Sequence, residues 1–379
     1  MSMTPIHFTE QALSALAYPQ TNLTGEVHKI AVLRANGIGD LMFAMPAMEA
    51  LRAAYPDAEI VYLGLQWHQD FLEDRPGPVD QVIVVPPSRG VGYPDDWEGE
   101  DEEELNQFFD RMVAENFDVA LQMHGGGRYS NLFIKRLGAR ITVGLRTPDA
   151  APLDMWVPYI FYQPEILRYL EVVSLLGAEQ VTLMPRIAVT QKDLDDAREI
   201  LPESSQPLAV IHPGAGDERR RWPVEKFAAV GNALAWSGAQ VVVVGSEADQ
   251  TLDQSVIDTM ASEAFNLAGK LSINGLTGLL SRASVVVSND SGPLHLAAAT
   301  GAPTVGIYWC GNMITAGPVT RAKHRPAISW RLDCPVCGLD NTKAICEHRE
   351  SFVADVPQEE VIASALELLQ MTRETISPA

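Results

Sequence analysis

Val285-Val286-Val287-Ser288-Asn289-Asp290-Ser291-Gly292-Pro293-Leu294-His295-Leu296-Ala297 decides the fold. Three valines read as a buried parallel strand. Ser288, Asn289, Asp290 and Ser291 are helix N-cap types, Pro293 suits a first helical turn, and Leu294 to Ala299 continue as helix. A strand that turns directly into a helix presents free backbone N–H groups and the positive dipole end, which suits an anion and most often a phosphate. Gly292 leaves room for close backbone approach. Alone, the stretch is also an ordinary strand-to-helix junction, so the rest of the chain must decide.

The same alternation continues on both sides. Pro207–Ile211, Gln240–Val244 and Pro303–Tyr308 read as further strands, with helices at Val224–Trp236, Ala248–Glu263 and Ile273–Arg282. An earlier series runs Lys29–Arg34, Glu59–Leu63, Val82–Val85, Phe117–Leu121 and Arg140–Gly144. Its first strand passes through the tight turn Ala35-Asn36-Gly37-Ile38-Gly39-Asp40 into a helix over Leu41–Ala54, where Pro46 predicts a kink or a late start. Prolines punctuate 148–185 and place a boundary near Pro185. The expectation is an α/β chain of two Rossmann-like, doubly wound domains facing across a cleft. Residues 1–27 form an extension with at most a short helix over Glu10–Ala17, followed by domains over 28–185 and 186–357 and a last helix in 358–379.

A chain of 379 residues, 46% hydrophobic, suits two soluble domains. The net charge of −21 argues against nucleic acid or an anionic membrane as partner. Four cysteines do not make a disulfide scaffold. The first Lys or Arg is Lys29, so the charged start of a signal peptide is lacking, and no apolar run is long enough for a transmembrane span. A cytoplasmic protein is expected.

Gly37-Ile38-Gly39 begins a dinucleotide fingerprint, but Met42 replaces its third glycine and no acid ends the next strand, so NAD or FAD is not expected. The acidic run Asp95–Glu104 reads as a solvated loop entering a helix. Gln122-Met123-His124-Gly125-Gly126-Gly127-Arg128 is a loop at a strand's carboxyl end, either a ligand loop or a plain connection. His212-Pro213-Gly214-Ala215-Gly216 followed by Arg219-Arg220-Arg221-Trp222-Pro223 supplies backbone donors and guanidinium forks for phosphate oxygens. Glu247 suits either a ribose hydroxyl or a helix N-terminus.

In order and spacing, Arg34–Asp40, His212–Gly216, Arg220–Pro223 and Asn289–His295 resemble the motifs of glycosyltransferase family 9, the ADP-heptose heptosyltransferases, over about residues 28 to 370. The resemblance implies a GT-B fold, with the nucleotide sugar on the C-terminal domain, the acceptor on the N-terminal one, and the last helix crossing back to the first domain. It implies inverting single displacement with no cofactor required. Asp40 is then the general base, although an N-capping role fits the same position. Arg219, Arg220, the Gly214–Gly216 amides and the helix after Asp290 would stabilise the departing diphosphate, with Arg220 counted as catalytic. His212, Ala215, Glu247, Asp290, Ser291, Gly292 and His295 complete the donor set, though His295 would equally serve as a packed helix histidine. Asn36, Gly37, Gly39, His124 and Arg128 lie on the acceptor side.

The family's lysine before Trp-Pro is Arg220 here, and its Gly-Pro-Thr is replaced by Trp309-Cys310-Gly311-Asn312. The charge of −21 fits a phosphate-rich core poorly, which leaves a glycan, a protein or a small molecule open as acceptor, and a homo-oligomer open as assembly. Cys334-Pro335-Val336-Cys337, with Cys346 and His348, has transition-metal spacing; it reads either as a structural zinc or iron site pinning a loop or as reduced thiols. Some members that glycosylate autotransporter proteins hold iron at a comparable cluster. The alternatives to a transferase are a non-catalytic nucleotide-sugar-binding or assembly protein and a sugar-nucleotide epimerase of the same fold.

Overall fold

The computed structural model describes residues 25–344 and 346–376, so the expected Glu10–Ala17 helix lies outside the described residues. The first half runs β1 (Lys29–Leu33), α1 (Ile38–Ala54), β2 (Glu59–Gly64), α2 (Gln66–Leu72), β3 (Gln81–Val84), the short pair β4 (Ser88–Arg89) and β5 (Gly92–Tyr93), α3 (Glu102–Ala114), β6 (Val119–Gln122), α4 (Ser130–Lys135), β7 (Ile141–Arg146), β8 (Met155–Pro158) and α5 (Glu165–Ser174). The second half runs α6 (Gln191–Ile200), β9 (Leu208–His212), α7 (Val224–Trp236), β10 (Gln240–Val243), α8 (Gln250–Thr259), β11 (Phe265–Asn266), α9 (Ile273–Ser281), β12 (Ala283–Asn289), α10 (Gly292–Ala299), β13 (Thr304–Trp309), α11 (Cys310–Ala316), β14 (His324–Ser329) and α12 (Gln358–Ile376).

Each half is a six-stranded parallel sheet, and the two share one topology: β3-β2-β1-β6-β7-β8 and β11-β10-β9-β12-β13-β14. The strand order reverses between β1 and β6, and between β9 and β12. At such a reversal the loops leaving neighbouring strands diverge to opposite faces and open a crevice at the carboxyl ends. Leu33 pairs with Gln122 and Ser288 with His212, so the Asp40 turn, the His124 loop, the His212 loop and the Asp290 turn all sit at these two reversals. The apolar face of α1, including Met42, Met45 and Met48, shares a core with Leu296 and Ala297 of α10. The halves therefore pack directly against each other.

Two expectations are corrected. Helix α1 starts early rather than late, because the Asp40 carboxylate accepts from the Gly37 amide at 3.0 Å and satisfies the helix start. Pro46 sits inside α1, where burial of Leu41–Met48 on all sides offsets the lost N–H. Over its described residues the last helix stays on the second half rather than crossing back to the first. Val361, Ala365, Leu368 and Leu369 of α12 bury with Ala209, Val285 and Val305 of the second sheet. Thr372 and Arg373 donate to the carbonyls of Ser284 (3.0 Å) and Ser237 (2.6 Å). The acidic run behaves as expected: Asp101 caps α3 through the amides of Glu103 and Glu104.

Candidate active site

The two reversals meet at a contact between glycines. A Cβ on Gly39 would stand 3.0 Å from His295 Cδ2 and 3.7 Å from Gly292 Cα. A Cβ on Gly292 would meet Ile38 Cβ at 3.2 Å. The motif of the first half thus lies directly against the helix start of the second because neither glycine has a side chain. The Phe43 ring packs on the His295 ring with centroids 4.5 Å apart, adding an aromatic contact across the same seam.

Asp40 stands in the third position of α1 with 34% of its side chain exposed, while its partner Arg34 is 4% exposed. Arg34 Nη2 donates both to Asp40 Oδ1 and, at 3.0 Å, to Glu165 Oε2. Arg34 Nη1 donates to the Met123 carbonyl at 2.9 Å. Asp40 therefore both caps its helix and presents a carboxylate at the edge of the seam; the two readings of this residue are compatible.

Opposite it, Asp290 is buried and bridges two elements: His295 Nε2 lies 3.0 Å from Oδ1, and Arg220 Nη1 donates to Oδ2 at 3.0 Å. The Arg220 side chain reaches on toward Gly216, where a Cβ would lie 3.9 Å from Nη2. Asn289 holds this group together, accepting from the Trp222 amide at 3.1 Å and donating to the Pro213 carbonyl at 2.7 Å. Ser291 is the N-cap of α10, and its hydroxyl lies 3.1 Å from that of Ser288. His212 is buried with Nδ1 2.7 Å from the Val244 carbonyl, and burial holds its imidazole below the ordinary histidine range. Gly214 sits against that ring, and Ala215 accepts from Arg221 Nε at 3.2 Å. Glu247 is exposed on the turn after β10.

Arg219 is the correction within the donor set. Its guanidinium is engaged by Asp217 (Nη2 to Oδ2, 2.6 Å) and stacks 4.9 Å from the Phe352 ring centroid. The 3-10 turn Glu218–Arg220 sends successive arginines to different sides, so only Arg220 meets Asp290.

On the acceptor side, Gly37 is exposed, and Asn36 Oδ1 is buried with no hydrogen-bond partner among the described residues. His124 Nδ1 accepts from the Ala35 amide at 3.2 Å, and burial, helped by the Arg34 charge, pushes this imidazole down to about 3. It supports the glycine turn as a neutral ring. Arg128 lies over the Tyr129 ring on the same loop.

Cys334, Cys337, Cys346 and His348 place one ligand atom each within 4.8 Å of one another. The amides of Cys337 and Val336 point at the Cys334 sulfur and hold its thiol down to about 7, and His348 Nδ1 is buried without a partner among the described residues. Three thiols and an imidazole at that spacing fit zinc or iron. Downstream of the cluster, the Phe352 amide donates to the Arg219 carbonyl (2.6 Å) and the Ser351 hydroxyl to the Arg221 carbonyl (2.6 Å), on either side of Arg220.

Sequence reasoning left out Arg34, Glu165, Arg168, Tyr169 and Asn289 as members of the site. Arg34 and Asn289 stood inside quoted motifs, but their partners are distant in sequence. Glu165 begins a helix in the proline-punctuated stretch 148–185, where the helical period was readable but the partner Arg34 was not.

Residues 106–333 match glycosyltransferase family 9 (heptosyltransferase). The lipopolysaccharide core heptosyltransferase OpsX of Haemophilus influenzae is 22% identical over 300 residues, covering 76% of this chain and 81% of that protein. A family 9 glycosyltransferase from Veillonella parvula superposes with a TM-score of 0.75 at 23% identity, over 92% of this chain and 100% of the other. The Escherichia coli ADP-heptose lipopolysaccharide heptosyltransferase II gives a TM-score of 0.72 at 19% identity, over 91% and 99%. Among the described residues, no helix is long and apolar enough to cross a membrane. Two GT-B halves that bring their glycine turns together, with the family match spanning more than half the chain, have one reading: this chain belongs to glycosyltransferase family 9, the heptosyltransferases.

Proposed function

We propose that this glycosyltransferase moves a heptose from ADP-heptose to an acceptor hydroxyl with inversion, using Asp40 as general base and Arg220 against the diphosphate. The acceptor oxygen forms its bond to the anomeric carbon while its proton passes to the Asp40 carboxylate. The bond from that carbon to the diphosphate oxygen breaks, and ADP leaves with the electron pair. Arg220, the Gly214–Gly216 amides and the α10 N-terminus meet the charge that develops there. Asp290, His212, Glu247, Ser291, Gly292 and His295 complete the donor side, and Asn36, Gly37, Gly39, His124 and Arg128 the acceptor side. The observation that supports this reading is the contact of Gly39 with His295 and Gly292, which brings the turn that carries Asp40 against the helix that follows Asp290.

The relatives act in lipopolysaccharide synthesis, so a core glycan is the acceptor to test first. Bound metal at Cys334, Cys337, Cys346 and His348 would pin the loop that holds the carbonyls flanking Arg220, giving it a structural role. The same proposal places the reaction in the cytoplasm. A panel of ADP-, UDP-, GDP- and dTDP-linked sugars tests the donor. ADP-heptose should raise Tm most and be consumed only when acceptor is added. Preference for another nucleotide, or consumption of the donor without acceptor, overturns the assignment; the latter result would favour the epimerase.

A further inference from the structure

Asp40 is one of two carboxylates on a single buried cation. Arg34 Nη2 serves both Asp40 and Glu165, and the guanidinium lies 5.1 Å from the Tyr169 ring centroid. Glu165 also accepts from Arg168 Nη1 at 2.8 Å and from the Tyr169 hydroxyl. Arg168 is in turn fixed by the carbonyls of Ile160 (2.8 Å) and Phe161 (2.9 Å). The group holds two guanidinium ions and two carboxylates, so it is neutral while Asp40 is ionised. A buried cation that loses its only counter-charge is strongly disfavoured.

We propose that Glu165 is a positioning residue for the transfer: it keeps Arg34 compensated when Asp40 takes the acceptor's proton, and so makes Asp40 able to act as a base. This rests on the reading of Asp40 as the base. Without Glu165, Arg34 would depend on Asp40 alone, and protonating Asp40 would strand the guanidinium. Asp40 would then be the last carboxylate on Arg34 and would take a proton less readily in the reaction.

The surroundings isolate this effect. The groups that face Arg34 besides the two acids are Tyr62, Tyr169, His68 and His124. Burial raises both tyrosines far above the neutral range and pushes both imidazoles down to about 3, so none of them changes charge between pH 5 and 9. Burial alone would raise Glu165, but Arg34, the Tyr169 hydroxyl and Arg168 outweigh it and hold this carboxyl below its ordinary range.

The test is the pH profile of kcat and kcat/KM for wild type, Glu165→Asp and Glu165→Gln, with donor KM measured alongside. The acidic limb should move toward lower pH in that order, by about one unit in Glu165→Gln, which is about a tenfold change in the protonation equilibrium. kcat at neutral pH should fall by up to ~10-fold, the most that a base weakened by one unit can lose under Brønsted behaviour, with donor KM within about twofold. If Glu165→Gln does not fold, Glu165→Asp still reports the direction. Limbs that superimpose on wild type while Asp40→Asn is inactive overturn the role of Glu165 alone. Turnover that survives Asp40→Asn overturns the base assignment itself.

Discussion

Arg219 and Arg220 are neighbours with opposite duties. Arg219 is closed off by Asp217 and Phe352, while Arg220 reaches Asp290. Composition announces an anion site in a run of three arginines, but which arginine faces it depends on the phase of a single 3-10 turn. The place of Asp40 at the end of the glycine turn was legible from the motif, where a capping role and a base role both fit, and the capping contact with the Gly37 amide is present. Its partners were not legible, since Glu165 lies 131 positions from Arg34 and meets it only when α5 packs on the sheet. Asp253 offers a residue-level prediction outside the seam. It is fully buried on α8, neither carboxylate oxygen has a hydrogen-bond partner among the described residues, and burial with nearby Asp249 raises it to about 7. The folded protein therefore holds this proton where the unfolded chain has released it, and stability falls as pH rises from about 4 to 7. In Asp253→Asn that decline should be shallower. The variant should gain on wild type by a few degrees in Tm between about pH 4.5 and 7.5, the size expected for a shift of order 1 kcal/mol in a chain of this class. Parallel melting curves across that range would show that Asp253 does not titrate there.

At the scale of elements, the long apolar strands and the amphipathic α7 were readable from period alone, and α7 covers Val224–Trp236 as expected. The edge strands β8 and β14 were not. β8 is only four residues long and ends at Pro158, Pro326 interrupts the alternation of β14, and each strand is recruited by a neighbour already in the sheet. Helix α12 misled because the family pattern sends it to the first domain, whereas its apolar face is filled by the second sheet. The cysteine loop was legible as a ligand set from spacing. Its link to Arg220 through Phe352 and Ser351 was not, because it runs through backbone carbonyls that no side-chain pattern records. The loop makes its own prediction. Purified protein should contain about one zinc or iron per chain, the stoichiometry of a four-ligand site. Removing the metal with a chelator, or changing Cys337→Ser, should lower Tm and weaken ADP binding by ~10-fold, as loss of one well-placed guanidinium contact would. Elemental analysis and titration of ADP on the same preparation check this. A metal-free protein with unchanged ADP affinity would leave the cluster as ordinary thiols.

For the molecule as a whole, two copies of one strand order place all four motif turns at the carboxyl edges, and the crevice follows from topology before any side chain is considered. The two-half architecture was readable because each βα series is complete in sequence. The seam was not, since it depends on Gly39 and Gly292 meeting across more than 250 residues. A second tie between the halves is equally invisible in sequence: Arg75 near α2 pairs with Asp193 of α6 at 2.6 Å and with Asn274 of α9 at 3.0 Å. The division of labour between halves is the central claim, and Asp40→Asn separates them: the change leaves the second half untouched and keeps the shape of the turn. The decisive measurement is heptose transfer by Asp40→Asn at saturating ADP-heptose, with ADP affinity titrated on the same sample. Transfer should fall by about 100-fold or more, as expected for loss of a general base, while ADP affinity stays within about twofold of wild type. Transfer near the wild-type rate, or loss of ADP binding together with activity, would contradict a base on one half acting on a donor held by the other.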